Sequence, residues 1–197
     1  MLFRRKKEKP VIIVSGLPRS GTSMMMQMLK QGGVEIVSDG LRQPDENNPK
    51  GYYEFEKVKE MGKDDSWLPK CKGKVIKIVS VFLSKLPDTY RYKVIFMRRD
   101  MQEILASQRK MLVRLQKDPN DVDEKKLVQQ YNKHLDQIQS WLKGKKNFNV
   151  FYVDYRDALN RPEEYVIQIQ SFLDMELNAE NMIRSVDKSL YRNRISG

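Results

Sequence analysis

The sequence predicts an α/β fold: a P-loop-like parallel β-sheet flanked by helices, in a single domain. Three observations carry this. Short apolar, β-branched runs recur along the chain, as strands buried on both faces require. Helical patterns separate these runs, which implies parallel strands joined by crossovers. The first run passes through a glycine-containing loop straight into a helix.

The elements follow in order. Residues 11–14, Val-Ile-Ile-Val, form the first strand. Residues 16–21 form a loop. A helix is expected over 22–30, with Met24, Met25, Met28 and Leu29 at helical spacing and Gly32 and Gly33 to end it. Residues 39–51 are rich in Pro, Asn, Asp and Gly and read as a loop. A short helix is expected over 54–61, a second strand over 75–81 and a third over 94–97. Asp100 is placed to cap a helix carrying Ile104, Leu105, Met111, Leu112 and Leu115, which ends near Asp118 and Pro119. Residues 123–143 have the clearest amphipathic pattern: Leu127, Tyr131, Leu135, Ile138 and Leu142 share one helical face. A fourth strand spans 150–153, and Pro162 opens a helix reaching about residue 174. No internal repeat, low-complexity tract or domain linker is visible. Residues 1–10 read as a basic tail and 11–197 as the α/β domain.

A chain of 197 residues can bury a core of its own. Its net charge of +11 points to an anionic partner: a nucleotide, a nucleic acid, an acidic glycan or a membrane surface. Nucleic acid is not expected, because no binding motif is present and aromatics are not interleaved with the basic residues. No apolar run approaches the roughly 20 residues that span a bilayer. The basic tip resembles the start of a signal peptide, but the apolar run after it is too short. With Cys71 as the one cysteine, an intrachain disulfide is excluded, and a reducing, cytoplasmic compartment is the simpler expectation.

The chemistry concentrates in Ser15-Gly16-Leu17-Pro18-Arg19-Ser20-Gly21-Thr22-Ser23. Between a buried strand and a helix, such a loop turns backbone N–H groups and the helix dipole toward one anion. Gly21 allows close approach, and the hydroxyls of Ser20, Thr22 and Ser23 add donors. The spacing nearly fits a Walker A loop, but Thr22 stands where the lysine that reaches the β- and γ-phosphates belongs. The cation sits inside the loop instead, as Arg19. A cation there suits one anionic group bridging to a leaving oxygen.

Pro18-Arg19-Ser20-Gly21-Thr22-Ser23 resembles the 5′-phosphosulfate loop of the sulfotransferase superfamily, Pro-Lys/Arg-Ser-Gly-Thr-Thr/Ser. The resemblance implies 3′-phosphoadenosine 5′-phosphosulfate (PAPS) as co-substrate, held by Pro18, Arg19, Ser20, Gly21, Thr22 and Ser23, with no metal required. A second segment, Lys93 to Asp100, is similar to the family's strand ending in Arg with a Ser eight residues on, both contacting the 3′-phosphate. Arg99 and Ser107 fit that spacing. Tyr155, in Val153-Asp154-Tyr155-Arg156-Asp157, resembles the tyrosine that packs near the adenine, although Arg156 replaces the family's acid. The stretch from Val186 to Arg194 resembles the ending of compact bacterial-type members, which implies that Arg192 and Arg194 close over the 3′-phosphate.

Sulfuryl transfer to a hydroxyl or amine then needs a base. The small-molecule members of the family use a His two residues after a strand Lys. Lys77 fits that Lys, but Val79 stands at the His position. The chain's one histidine, His134, lies in the long amphipathic helix and reads as structural. Other branches use Glu, and Gly51-Tyr52-Tyr53-Glu54-Phe55-Glu56 resembles a Gly-Tyr-x-Glu stretch, so Glu54 is the candidate base and Glu56 the alternative. The candidate catalytic residues are thus Arg19, Glu54 and Lys77. Met24 to Met26 and the two tryptophans, Trp67 and Trp141, read as packing residues.

Two other functions stay open at this point. One is a P-loop nucleotide kinase or NTPase. The other is a non-catalytic sulfotransferase-like protein that binds nucleotide or nucleic acid. The acceptor, a small molecule, a glycan or another hydroxyl compound, is not legible, because loops 39–51 and 62–74 match nothing informative. So short a chain leaves little room for lids, so the acceptor site is either open or completed by a second subunit of a homo-oligomer.

Overall fold

The computed structural model describes residues 8–45, 48 and 50–191. Five strands form one sheet: β1 (Val11–Gly16), β2 (Ile36–Val37), β3 (Val75–Lys77), β4 (Tyr92–Arg98) and β5 (Phe148–Asp154). Their order is β2-β3-β1-β4-β5 and every pairing is parallel. The helices are α1 (Thr22–Gln31), α2 (Met101–Arg114), α3 (Glu124–Lys143), α4 (Tyr155–Asn160), α5 (Pro162–Leu173) and α6 (Ala179–Ser185).

Side-chain alternation along the strands divides the core in two. Ile12 and Val14 of β1 face Met25, Met28 and Leu29 of α1, with Val166 and Ile169 of α5 and Met182 of α6 behind them. Val11 and Ile13 face the opposite layer, where Ile138 and Leu142 of α3 pack with Trp67, Leu68 and Leu83. Both faces are covered, which is why β1 is buried along its whole length and reads as an unbroken apolar run. Trp67 is buried in that second layer and Trp141 packs against it. His134 of α3 places Nε2 2.8 Å from the buried Ser80 Oγ, joining α3 to the segment after β3. Among the described residues no helix is long and apolar enough to cross a membrane.

The expected fold class holds, and several boundaries move. The second strand is only Val75–Lys77: Val79 starts a 3-10 turn over Ser80–Lys85, and Val81 is exposed. The apolar run continued past the sheet because Ile78 and Leu83 still enter the core. The segment expected as a helix over 54–61 is a 3-10 turn, Glu56–Glu60. Asp100 caps α2 as expected, accepting from the N–H groups of Gln102 and Glu103, but the helix stops at Arg114, ahead of Gln116 at φ 56°. Asp123 caps α3. The short elements β2, α4 and α6 carry too few residues to show a period.

The strand order also locates the site. The strands next after β1 in sequence, β2 and β3, lie on one side of it, and β4 and β5 lie on the other. In open parallel sheets the ligand crevice opens at such a reversal, beyond the carboxyl ends of the strands. There β1 hands the chain to the loop that leads into α1.

Candidate active site

Close packing sets the loop's shape. Gly16 has φ 146°, and a Cβ there would lie 2.5 Å from Ser20 Oγ and 2.6 Å from the Met97 carbonyl oxygen. Gly21, at φ 98°, lies against Tyr155: a Cβ would fall 2.2 Å from the ring. Arg19 itself takes φ 70°, a left-handed conformation that costs a non-glycine residue free energy. Ser20 is buried, and both its N–H and its hydroxyl donate to the Leu17 carbonyl, at 3.2 and 2.7 Å. Its hydroxyl therefore closes the loop, and Ser20 does not line the cleft. Gly21 is the N-cap of α1 and no side chain caps that end. The first-turn amides and positive dipole end of α1 thus remain for an anion.

A cleft of about 470 Å³ opens over this loop. Pro18, Arg19, Gly21, Thr22 and Ser23 line it from the loop and α1, Lys77 from β3, Glu54 from the 39–55 segment, Arg99 and Ser107 from α2 and its approach, and Tyr155 from α4. Sequence reasoning thus gathered one site from five separate stretches. Arg192 and Arg194 lie outside the described residues. The lining has seven cations, Arg19, Arg42, Lys50, Lys77, Arg99, Lys110 and Arg114, against two acids, Glu54 and Asp187. That imbalance draws a polyanion.

Arg19 is held by neutral groups. Its Nε–H donates to Ser107 Oγ at 2.9 Å, and no carboxylate among the described residues pairs with it. Burial, and then the charges of Arg99 and Arg42, pull its pKa below the ordinary value, against an opposing effect of Tyr52. Arg99 is held differently. Its Nε–H donates to Glu103 at 2.9 Å and its Nη1 to the Arg19 carbonyl at 3.0 Å, while its guanidinium lies 4.5 Å from the Tyr155 ring centre. Tyr155 is buried between that guanidinium and Gly21.

On the opposite wall, Lys77 is buried, donates Nζ–H to the Tyr52 carbonyl and sits 3.5 Å from Glu54 Oε1. Its pKa falls to about 8, chiefly through burial; Glu54 opposes the fall and the charges of Arg42 and Arg19 add to it. Glu54 also accepts from Arg42 at 3.0 Å, and the Arg42 guanidinium lies 3.4 Å from the Tyr52 ring centre. Glu56 turns away to Lys59, at 2.6 Å, and does not line the cleft. Val79 lines it where the family's small-molecule members carry His.

Sequence reasoning missed Arg42, Lys50, Tyr52, Lys110, Arg114 and Tyr131 in the lining. Lys110, Met111 and Arg114 lie one and two turns beyond Ser107, so the helical period of α2 was the available signal. For Arg42 no signal existed. Glu103 was also missed, although it stands four residues after Arg99, in the first turn of α2. Among the described residues no group of three or more His, Cys, Asp or Glu is placed to hold a metal ion.

A parallel sheet whose first strand feeds an uncapped helix through an arginine-bearing glycine loop defines an α/β protein of the P-loop-like class. Within that class the chain belongs to the sulfotransferase domain family, whose sequence model matches residues 9–194. No curated protein matches it in sequence. Its fold is similar to that of sulfotransferase STF1 from Mycobacterium tuberculosis H37Rv, at 18% identity and TM-score 0.60, over 92% of this chain and 71% of that one. It is also similar to mouse sulfotransferase SULT7A1, solved in complex with PAP, at 15% identity and TM-score 0.57, over 94% of this chain and 67% of that one. The sulfotransferase domain from the curacin biosynthetic pathway follows at 14% identity and TM-score 0.54, over 92% and 79% of the two chains.

Proposed function

We propose that this sulfotransferase moves a sulfuryl group from PAPS to an acceptor hydroxyl or amine and releases adenosine 3′,5′-bisphosphate. One observation carries the reading. Arg19 is a half-buried guanidinium without a carboxylate partner among the described residues, set beside an uncapped helix N-terminus and facing a cleft whose charged lining is mostly cationic. A partly desolvated cation of this kind favours an anion beside it. The PAP complex of mouse SULT7A1 supports the same class of donor.

The residues divide the work as follows. The first-turn amides of α1, with Thr22 and Ser23, hold the 5′-phosphate. Arg99 and Ser107 hold the 3′-phosphate, and Tyr155 lies near the adenine. Bound there, PAPS supplies the sulfuryl group, whose bond to the 5′-phosphate oxygen breaks as the acceptor oxygen bonds to sulfur. Arg19 sits where negative charge grows on the leaving oxygen, and a positioned cation lowers the barrier most where charge develops. Glu54 takes the acceptor's proton. Lys77, next to Glu54, stabilises the sulfuryl oxygens during transfer. Thr22, in place of the Walker lysine, disfavours triphosphate hydrolysis.

The test is calorimetric binding of adenosine 3′,5′-bisphosphate without metal, to wild type and to Arg19→Ala and Arg99→Ala. Tight binding to wild type, weakened in both variants, is expected. Absence of binding to wild type would refute the donor assignment.

A further inference from the structure

The geometry points to Glu103 as the residue that positions Arg99 for the 3′-phosphate; the inference rests on the donor assignment above. Glu103 is almost wholly buried, its side chain 1% exposed, one helical turn after Arg99. A lone carboxylate in that position would be expelled or neutralised. Three donors converge on it instead. Oε2 accepts from Arg99 Nε at 2.9 Å, while Oε1 accepts from Arg156 Nη2 at 3.2 Å and from the Tyr191 hydroxyl. Burial raises the Glu103 pKa, but these hydrogen bonds and the Arg99 charge outweigh it, so the net shift is downward. Glu103 is therefore a carboxylate.

The result is a cage around Arg99. Glu103 fixes Nε, and the Arg19 carbonyl fixes one N–H of Nη1. The rings of Tyr155 and Tyr191 lie 4.5 and 5.7 Å from the guanidinium, themselves packed edge to face. A guanidinium has five N–H donors. Two are taken, and three have no protein acceptor among the described residues. Arg99 lines the cleft. Its Nη1 and Nη2 can therefore meet two oxygens of one phosphate, the paired geometry at which arginine excels.

This also accounts for Arg156. The family's acid is absent at that position, and the basic residue there reaches back to a buried acid on α2. Arg156 and Tyr191 tie α4 and the chain after α6 to the base of the 3′-phosphate site. Glu103 does not line the cleft. It acts through Arg99, so its loss falls on recognition of the 3′-phosphate alone.

The experiment compares adenosine 3′,5′-bisphosphate with AMP, which lacks only the 3′-phosphate. Binding is measured to wild type, Glu103→Gln, Glu103→Ala and Arg99→Ala, with thermal melts to verify folding. Wild type should prefer the bisphosphate. In Glu103→Ala that preference should fall roughly tenfold, the worth of a charge-assisted hydrogen bond, with AMP affinity within about twofold of wild type. Glu103→Gln keeps one acceptor oxygen and should lose less. It also answers the question if the alanine variant does not fold. In turnover, donor KM should rise while kcat is nearly kept. An unchanged preference, or equal weakening of both ligands, overturns the role of Glu103. Equal affinity of wild type for both ligands overturns instead the assignment of Arg99 to the 3′-phosphate.

Discussion

Arg19 donates Nε–H to Ser107 Oγ at 2.9 Å, joining two residues 88 positions apart. This contact docks the anion loop on α2. It also leaves the terminal nitrogens of Arg19 for the cleft. Arg19→Ala should lower kcat by about 10²–10³, the usual effect of removing one donor to a developing oxyanion. Arg19→Lys keeps the charge but loses the fork and should recover part of the rate. Ser107→Ala should weaken bisphosphate binding by about tenfold at most, as expected for one hydrogen bond. Steady-state kinetics and calorimetry on the three variants check this.

Gly21 and Tyr155 compete for one space. A Cβ on Gly21 would sit 2.2 Å from the Tyr155 ring, and the φ of 98° is unfavourable to any side chain. Gly21→Ala should therefore cost about 1–3 kcal/mol from backbone conformation, and more from the clash. It should also lose bisphosphate binding, since the loop must move. The two causes separate in a double-mutant cycle. In a Tyr155→Ala background the clash is gone, so Gly21→Ala should cost measurably less by thermal melts. Equal cost in both backgrounds would assign the whole effect to the backbone.

The same contrast explains what could be read from the sequence. The loop was legible because its chemistry is local: strand, glycines, arginine and helix start lie within thirteen residues, 11–23. Asp100 was legible for the same reason, because a cap acts within one turn. Glu103 was not. Its partners Arg156 and Tyr191 lie 53 and 88 positions away, and nothing local marks them as neighbours. The cleft wall made by Arg42 and Tyr52 arises in a loop without periodicity. The strand 75–81 was drawn too long for a related reason: burial continued after the sheet pairing stopped, and an apolar run reports burial only.

Glu54 and Glu56 were equal candidates by type, and the fold separates them. Glu54 lines the cleft within reach of Lys77 and Arg42, whereas Glu56 pairs with Lys59 on the surface. Glu54→Gln should lower kcat by about 10²–10⁴, the range for a general base. Glu56→Gln should leave kcat within about twofold, as an exposed ion pair contributes little. Loss of transfer in the Glu56 variant alone would reverse the assignment.

Lys77 is a titratable cation in the cleft wall. Its pKa is lowered from the ordinary 10.5 to about 8, by burial first, with Glu54 opposing and Arg42 and Arg19 reinforcing. The ammonium is present below pH 8 and is lost above it. If the cation assists transfer, kcat/KM, which reports the free enzyme, should fall as pH rises through about 8. Lys77→Met should lower the plateau and abolish that limb. Glu54→Gln should shift the limb to lower pH, and Arg42→Gln should shift it higher. Stability supplies a second readout. Between pH 8 and 10.5 the unfolded chain keeps the Lys77 proton that the folded chain has released. Wild type should therefore gain stability relative to Lys77→Met across that window, with a constant offset below it. A relative change in the opposite direction would mean that Lys77 holds its proton in the folded protein more firmly than in water, and that the site is less dry than its burial implies.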